Sequence, residues 1–250
     1  SPLAISNGFG DLTYWGFTQE FRLNGNFLDD RLNWTIGAFY LDQRSVYATF
    51  QDLRYSPTPL QFQGNDPVNA DTKAVFANAS YEIIPDLTVN AGIRYTDEHK
   101  DYTFTRRNQD GSVNPFLGAL DGVTGEFNGD SVDYRLNLQY RWNAALMTYA
   151  QVSTGFKGGG IGPRPFNPEQ VQPFGPEKLT AYEVGFKSDL FDILRLNGAA
   201  FYSDYKDIQL SLLSCPQFGG PGPCALPQNA GDATIKGVEL EAAVDTRTGL

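Results

Sequence analysis

From Ser131 to Trp142 the chain alternates without a break. Val132, Tyr134, Leu136, Leu138, Tyr140 and Trp142 are apolar or aromatic, while Ser131, Asp133, Arg135, Asn137, Gln139 and Arg141 are polar. Side chains alternate across a strand with a period of two, so this pattern predicts a β-strand with one apolar and one polar face. An antiparallel sheet resting on a water-soluble core gives the same alternation. Two details favour lipid instead. Tyr140 and Trp142 sit together at one end with Tyr134 toward the other, as in the aromatic girdles of outer-membrane barrels. The run also rises roughly 33 Å, or about 24 Å along a barrel axis after a tilt of about 45°, close to the roughly 25 Å apolar band of such barrels.

Eight further strands follow the same rule. In the first, Phe17, Phe21 and Leu23 oppose Thr18, Glu20, Arg22 and Asn24. In the second, Leu32, Trp34, Ile36, Ala38 and Tyr40 share a face, and the strand runs on toward Phe50. The third carries Val75, Ala77, Ala79 and Tyr81 outward. The fourth sets Leu87, Val89, Ala91, Ile93 and Tyr95 against Thr88, Asn90, Gly92, Arg94 and Thr96, with a polar extension to about Arg107. The run from Ser131 is the fifth. A sixth covers Ala145 to Gly155, and a seventh covers Lys178 to Ser188, with Tyr182, Val184 and Phe186 opposite Glu183 and Lys187. The eighth starts at Leu194, and the ninth carries Val238, Leu240, Ala242 and Val244.

The links between these strands alternate in length. Short ones fall near 25–31, 83–86, 143–144 and 189–193, and long ones near 51–70, 108–129, 156–176 and 211–231. Outer-membrane barrels keep short turns on one rim and long loops on the other, whereas a soluble sandwich has no reason to sort its loops by parity. The predicted fold is therefore all-β, an antiparallel transmembrane β-barrel segment of about nine strands. Nine is odd, and an open sheet would leave bare backbone edges in lipid. The strands are expected to belong to a larger barrel.

Composition agrees with this reading and removes alternatives. No stretch approaches 18 consecutive apolar residues, so a membrane-spanning helix is excluded. A mean hydropathy of −0.35 does not exclude a barrel, because half of each spanning strand is polar. The formal net charge of −10 argues against a nucleic-acid partner. The first residues show neither a basic nor an apolar leader region, so a leader is expected to have been removed, or the chain to be an internal piece.

Several segments taken in order resemble the barrel of TonB-dependent outer-membrane receptors. They are Thr18 to Leu23 (TQEFRL), Ala91 to Thr96 (AGIRYT), Ser153 to Gly160 (STGFKGGG), Tyr182 to Lys187 (YEVGFK) and Gly231 to Glu241 (GDATIKGVELE). The resemblance spans essentially residues 1–250. It implies a partial barrel domain of a 22-stranded barrel, filled by a plug domain that lies outside this sequence. It also implies location in the outer membrane of a Gram-negative bacterium. The expected activity is uptake of a scarce ligand such as a ferric siderophore, powered by the TonB complex through the plug. The expected partners are outer-membrane lipid, TonB and a small-molecule ligand such as a metal chelate, with no nucleic acid and no cofactor. A passive porin and a soluble β-rich adhesin are the competing classes.

Enzymatic chemistry has little to stand on. His99 is the one histidine, and its plain reading is an exposed residue in the polar extension of the fourth strand. Asp97 and Glu98 are adjacent and so face opposite sides of a strand. Gly158 to Gly160 lack a following Gly-Lys-Ser/Thr and read as a flexible rim. No metal site is expected. Arg94, Asp133, Arg135, Glu183 and Lys187 lie on polar faces and are expected to face the lumen, as a solvated wall with cross-strand ion pairs. A cationic and aromatic set, Phe156, Lys157, Arg164 and Phe166 with Phe174 nearby, suits an anionic ring-bearing chelate, and a merely solvated loop is the competing reading. Cys215 and Cys224 are expected to form a disulfide. They lie in a loop placed outside the cell by parity, and the eight residues between them include three prolines and three glycines.

Overall fold

The computed structural model describes residues 6–54, 60–191, 193–215, 217 and 224–244. Nine long strands form one sheet: β1 (Ser6–Phe27), β2 (Leu32–Leu53), β3 (Leu60–Ile84), β4 (Leu87–Thr103), β5 (Thr124–Asn143), β6 (Leu146–Lys157), β9 (Glu177–Leu190), β10 (Leu194–Lys206) and β13 (Ala233–Val244). Each pairs antiparallel with the next in that order. The links interrupted by short strands hold two small ribbons: β7 (Gly160–Ile161) with β8 (Pro173–Phe174), and β11 (Gln209–Leu212) with β12 (Leu226–Asn229). The tight turns sit at one rim. Their left-handed residues are short acidic side chains at Asp29, Asp30 and Asp86, with φ of 53°, 66° and 70°, together with Leu28 and Phe191. Aspartate tolerates that region better than most non-glycine residues.

Register turns the period of two into continuous rows across the sheet. One apolar row runs Phe27, Leu32, Tyr81, Val89, Leu138, Ala150, Val184, Ala200 and Val238, crossing all nine strands. The adjacent row is polar: Asn26, Asn33, Ser80, Asn90, Asn137, Gln151 and Glu183. Asn90 donates to Asn137 at 3.1 Å, and Arg135 donates from the next row to Gln151 at 2.8 Å. The burial order is inverted relative to a water-soluble sheet. Leu136 is 48% exposed, whereas its neighbour Asn137 is 7% exposed. Burying amides while exposing leucine is unfavourable in water and favourable in hydrocarbon, where the outward apolar face meets lipid chains.

On β3, β4 and β5 the outward band has a sharp upper limit. Phe21, Ala38, Val75, Tyr95 and Val132 form its last apolar row, and the next outward row is Gln19, Tyr40, Lys73, Asp97 and Asp130. Above that line β3, β4 and β5 continue with polar residues on their outward face, such as Asp71, Asn69, His99, Asp101, Asn128 and Glu126, while β1 still carries Phe17 and Trp15 there. The hydrophobic core sits there too, against the inner face rather than between layers. Phe104, Leu117, Leu120, Phe127, Ile161 and Val171 bury one another where the 104–123 and 158–172 segments fold against β4 and β5.

Five sequence expectations change. The segment 51–70 is strand from Leu60 onward and to Leu53 before it, and β5 begins at Thr124 inside the expected loop 108–129. Likewise β1 starts at Ser6 rather than Phe17. These stretches rise above the lipid band, so neither face needs to be apolar and the alternation fades. His99 is a half-buried strand residue whose Nδ1 lies 2.7 Å from the Asn128 side chain. Gly158 to Gly160 are held rather than loose: the Gly159 carbonyl accepts from Lys100 Nζ at 3.0 Å, and a Cβ on Gly158 would strike Glu98.

Candidate functional site

The long-loop rim holds a cavity of about 350 Å³ on the inner side of the wall. Tyr47 and Phe62 reach it from β2 and β3, because inward positions fall at odd numbers on β2 and even numbers on β3. Arg164 and Phe166 reach it from the segment between β7 and β8, and Cys224 closes one side. Phe166 is half-buried against the loop core, and its N–H donates to Gln170 Oε1 at 2.7 Å. Arg164 is exposed and has no ion-pair partner among the described residues. A guanidinium without an ion-pair partner among the described residues, beside three aromatic rings, has the chemistry to pair with an anionic group and to stack with a ring.

Asp66, which lines this cavity, belongs to a buried ion pair that sequence reasoning missed. Arg106 Nη1 donates to both oxygens of Asp66 at 2.8 and 2.9 Å, and the two side chains are 5% and 1% exposed. Asp66 also accepts the Thr105 N–H at 2.9 Å and the Tyr102 hydroxyl at 3.4 Å. The Arg106 guanidinium lies 5.3 Å from both the Phe62 and Phe104 rings. Burial, with Asp66 adding to it, pushes the Tyr102 phenol well above its ordinary range and keeps it a neutral donor. The two partners lie forty residues apart on β3 and after β4, so no local pattern announces them.

The predicted residues divide. Arg164 and Phe166 come together at the cavity, while Phe156 and Lys157 end β6 away from it. Phe156 follows the outward register of Ala150 and Val152. Phe174 pairs with Gly160 in the small ribbon. Lower on the wall, Arg94, Asp133 and Arg135 line one concavity with Glu20 and Arg22. Arg135, Glu183 and Lys187 line a second, of about 780 Å³, where Tyr149 donates to Glu183 at 2.7 Å.

Cys215 and Cys224 form a disulfide with a Cα–Cα distance of 5.9 Å, buried with Leu226 and packed against by the half-buried Leu212. Closing so short a loop stabilises by about 2–3 kcal/mol in the chain-entropy model. Protein denatured without reductant and then alkylated is expected to gain no mass at either cysteine; two added alkyl groups would refute the bridge.

The profile of the family described as "TonB dependent receptor-like, beta-barrel" matches residues 3–249. The chain belongs to the TonB-dependent receptor β-barrel family. It is an outer-membrane protein of the Gram-negative type. The pesticin receptor of Yersinia pestis is 28% identical over 186 residues, which is 74% of this chain and 25% of that protein. The chain thus spans about a quarter of the length of the curated relatives it matches. Among solved structures, the ferric yersiniabactin uptake receptor FyuA from Yersinia pestis superposes with a TM-score of 0.76 at 23% identity, covering 96% of this chain and 34% of that one. The siderophore receptor PiuA from Acinetobacter baumannii gives 0.68 at 15% identity, covering 95% and 36%. These likenesses show the fold: nine antiparallel strands that superpose on part of the barrels of these receptors.

Proposed function

We propose that these residues form part of a complete, 22-stranded, plug-filled barrel that takes up an anionic metal chelate of the ferric siderophore class, driven by the TonB complex. One observation carries the ligand class. A free guanidinium and three aromatic rings meet at the rim that outer-membrane topology turns toward the outside. The bare edges of β1 and β13 favour further strands, because unpaired backbone in lipid costs several kcal/mol per group. The inward charges Arg94, Asp133, Arg135, Glu183 and Lys187 then face the lumen and its plug. Transport, not catalysis, is the activity this arrangement supports.

Ferric yersiniabactin, for whose uptake the structurally similar FyuA is named, supplies the probe. Tryptophan fluorescence of the detergent-solubilised receptor, titrated with ferric yersiniabactin, is expected to saturate. Arg164→Ala should weaken binding roughly tenfold or more, as expected for a lost charge-assisted contact. A wild-type protein that binds no ferric chelate would end the siderophore reading, and an unchanged affinity in the variant would remove Arg164 from the site.

A further inference from the structure

The segment carrying Arg164 and Phe166 leaves the sheet after Lys157 and returns at Glu177. Its two ends are joined by a side chain from a different loop. Gln209 Nε2 donates to the Gly158 carbonyl at 3.0 Å and to the Gly175 carbonyl at 3.0 Å, with a longer contact to the Lys157 carbonyl at 3.4 Å. The Gln209 N–H adds a bond to Glu177 Oε2 at 3.1 Å. Asn229 grips the returning end from the partner strand of the same ribbon. Its Oδ1 accepts the Gly175 N–H at 2.7 Å, and its Nδ2 donates to the carbonyls of Gly175 at 3.0 Å and Asp207 at 2.8 Å.

Gln209 and Asn229 face each other in register across β11 and β12. That ribbon continues directly into the disulfide-closed segment, where Leu226 is 1% exposed. Leu226 and Pro227 also pack on the far part of the clamped segment, since a Cβ added at Gly162 would lie 3.1 Å from each. The ribbon therefore touches the segment at its neck and again two residues from Arg164. On the opposite side, Lys100 holds the Gly159 carbonyl.

We infer that Gln209 and Asn229 are positioning residues of the rim cavity, locking the 158–175 segment to the disulfide ribbon so that the two loops act as one wall. The inference rests on the receptor reading only for what the cavity binds; the lock itself is a property of the fold. Each amide satisfies carbonyls from both ends of one excursion or from two loops. Such groups have few alternative partners once the neck opens, and they set the loop geometry more than the stability of the barrel wall. The disulfide limits how far the ribbon can retreat.

The experiment uses the full receptor with Gln209→Glu, Asn229→Ala and the double variant. Gln209→Glu keeps the shape and removes the donors. Hydrogen exchange of residues 158–160 and 175 in ligand-free protein is expected to accelerate at least about tenfold in the double variant, with strands β4 and β5 unchanged. Ferric yersiniabactin should dissociate faster from the variants while its association rate changes little, the signature of a loosened wall rather than an unfolded one. Gln209→Asn, which keeps a donor, should recover part of the protection that Gln209→Glu loses. Unaltered exchange at the neck in the double variant would overturn the lock. Faster exchange with an unaltered dissociation rate would overturn the positioning role. If wild type binds no chelate, the receptor reading fails while the exchange result still decides the lock.

Discussion

Replacing Asp66 with alanine is expected to release the 104–123 segment by about 3–5 kcal/mol, the cost of stranding a buried charge. Arg106 would keep its position between the Phe62 and Phe104 rings with no carboxylate to neutralise it. The Thr105 N–H would lose its acceptor, and the Tyr102 hydroxyl its contact. Hydrogen exchange across 104–123, compared with β4 below it, measures the effect. The double variant Asp66→Ala/Arg106→Met removes both charges and should recover most of the loss, because a buried ion pair contributes little over well-packed apolar side chains. A double variant as exposed as the single one would show that the pair itself, rather than the stranded arginine, sets the cost.

Arginine at Leu136 is expected to cost about 2–4 kcal/mol and to impair barrel assembly, whereas arginine at Asn137 should cost much less. The two positions are adjacent, so local propensity scarcely distinguishes them. They differ in what they face. Leu136 lies outward between Ala91 and Val152 near the middle of the lipid band. Asn137 lines the inner cavity beside Asn90. Heat-modifiable gel mobility of the two variants in outer-membrane fractions reports folded barrel. Equal losses would contradict the outward assignment of the apolar face.

How far the sequence could be read depended on where each residue meets lipid. Leu87 to Tyr95 and Val132 to Trp142 alternate cleanly because hydrocarbon on one side and polar space on the other impose a period of two. Above the row of Tyr40, Lys73, Asp97 and Asp130 that constraint disappears, and strands such as 60–74 and 124–130 look like loops. The cavity was half legible. Arg164 and Phe166 stand out by residue type within a glycine- and proline-rich segment, although type alone could not exclude Phe156 and Lys157. Asp66 with Arg106, and Gln209 with Asn229, are ordinary polar residues until the chain folds. Their significance lies in partners at the ends of long loops, and no spacing rule encodes that.

The unbroken rows across the sheet also limit how such a protein can change in length. Deleting Thr88 from β4 would turn Val89, Ala91 and Ile93 inward and drive Asn90 and Arg94 into the hydrocarbon, with the strand beyond it out of step with both neighbours. Losses and gains inside the lipid band are therefore tolerable only in pairs. At the rim built by β7, β8, β11 and β12 the same event costs a loop contact or two. A wall of this construction is free to lengthen at that rim, while the spanning rows stay fixed in count.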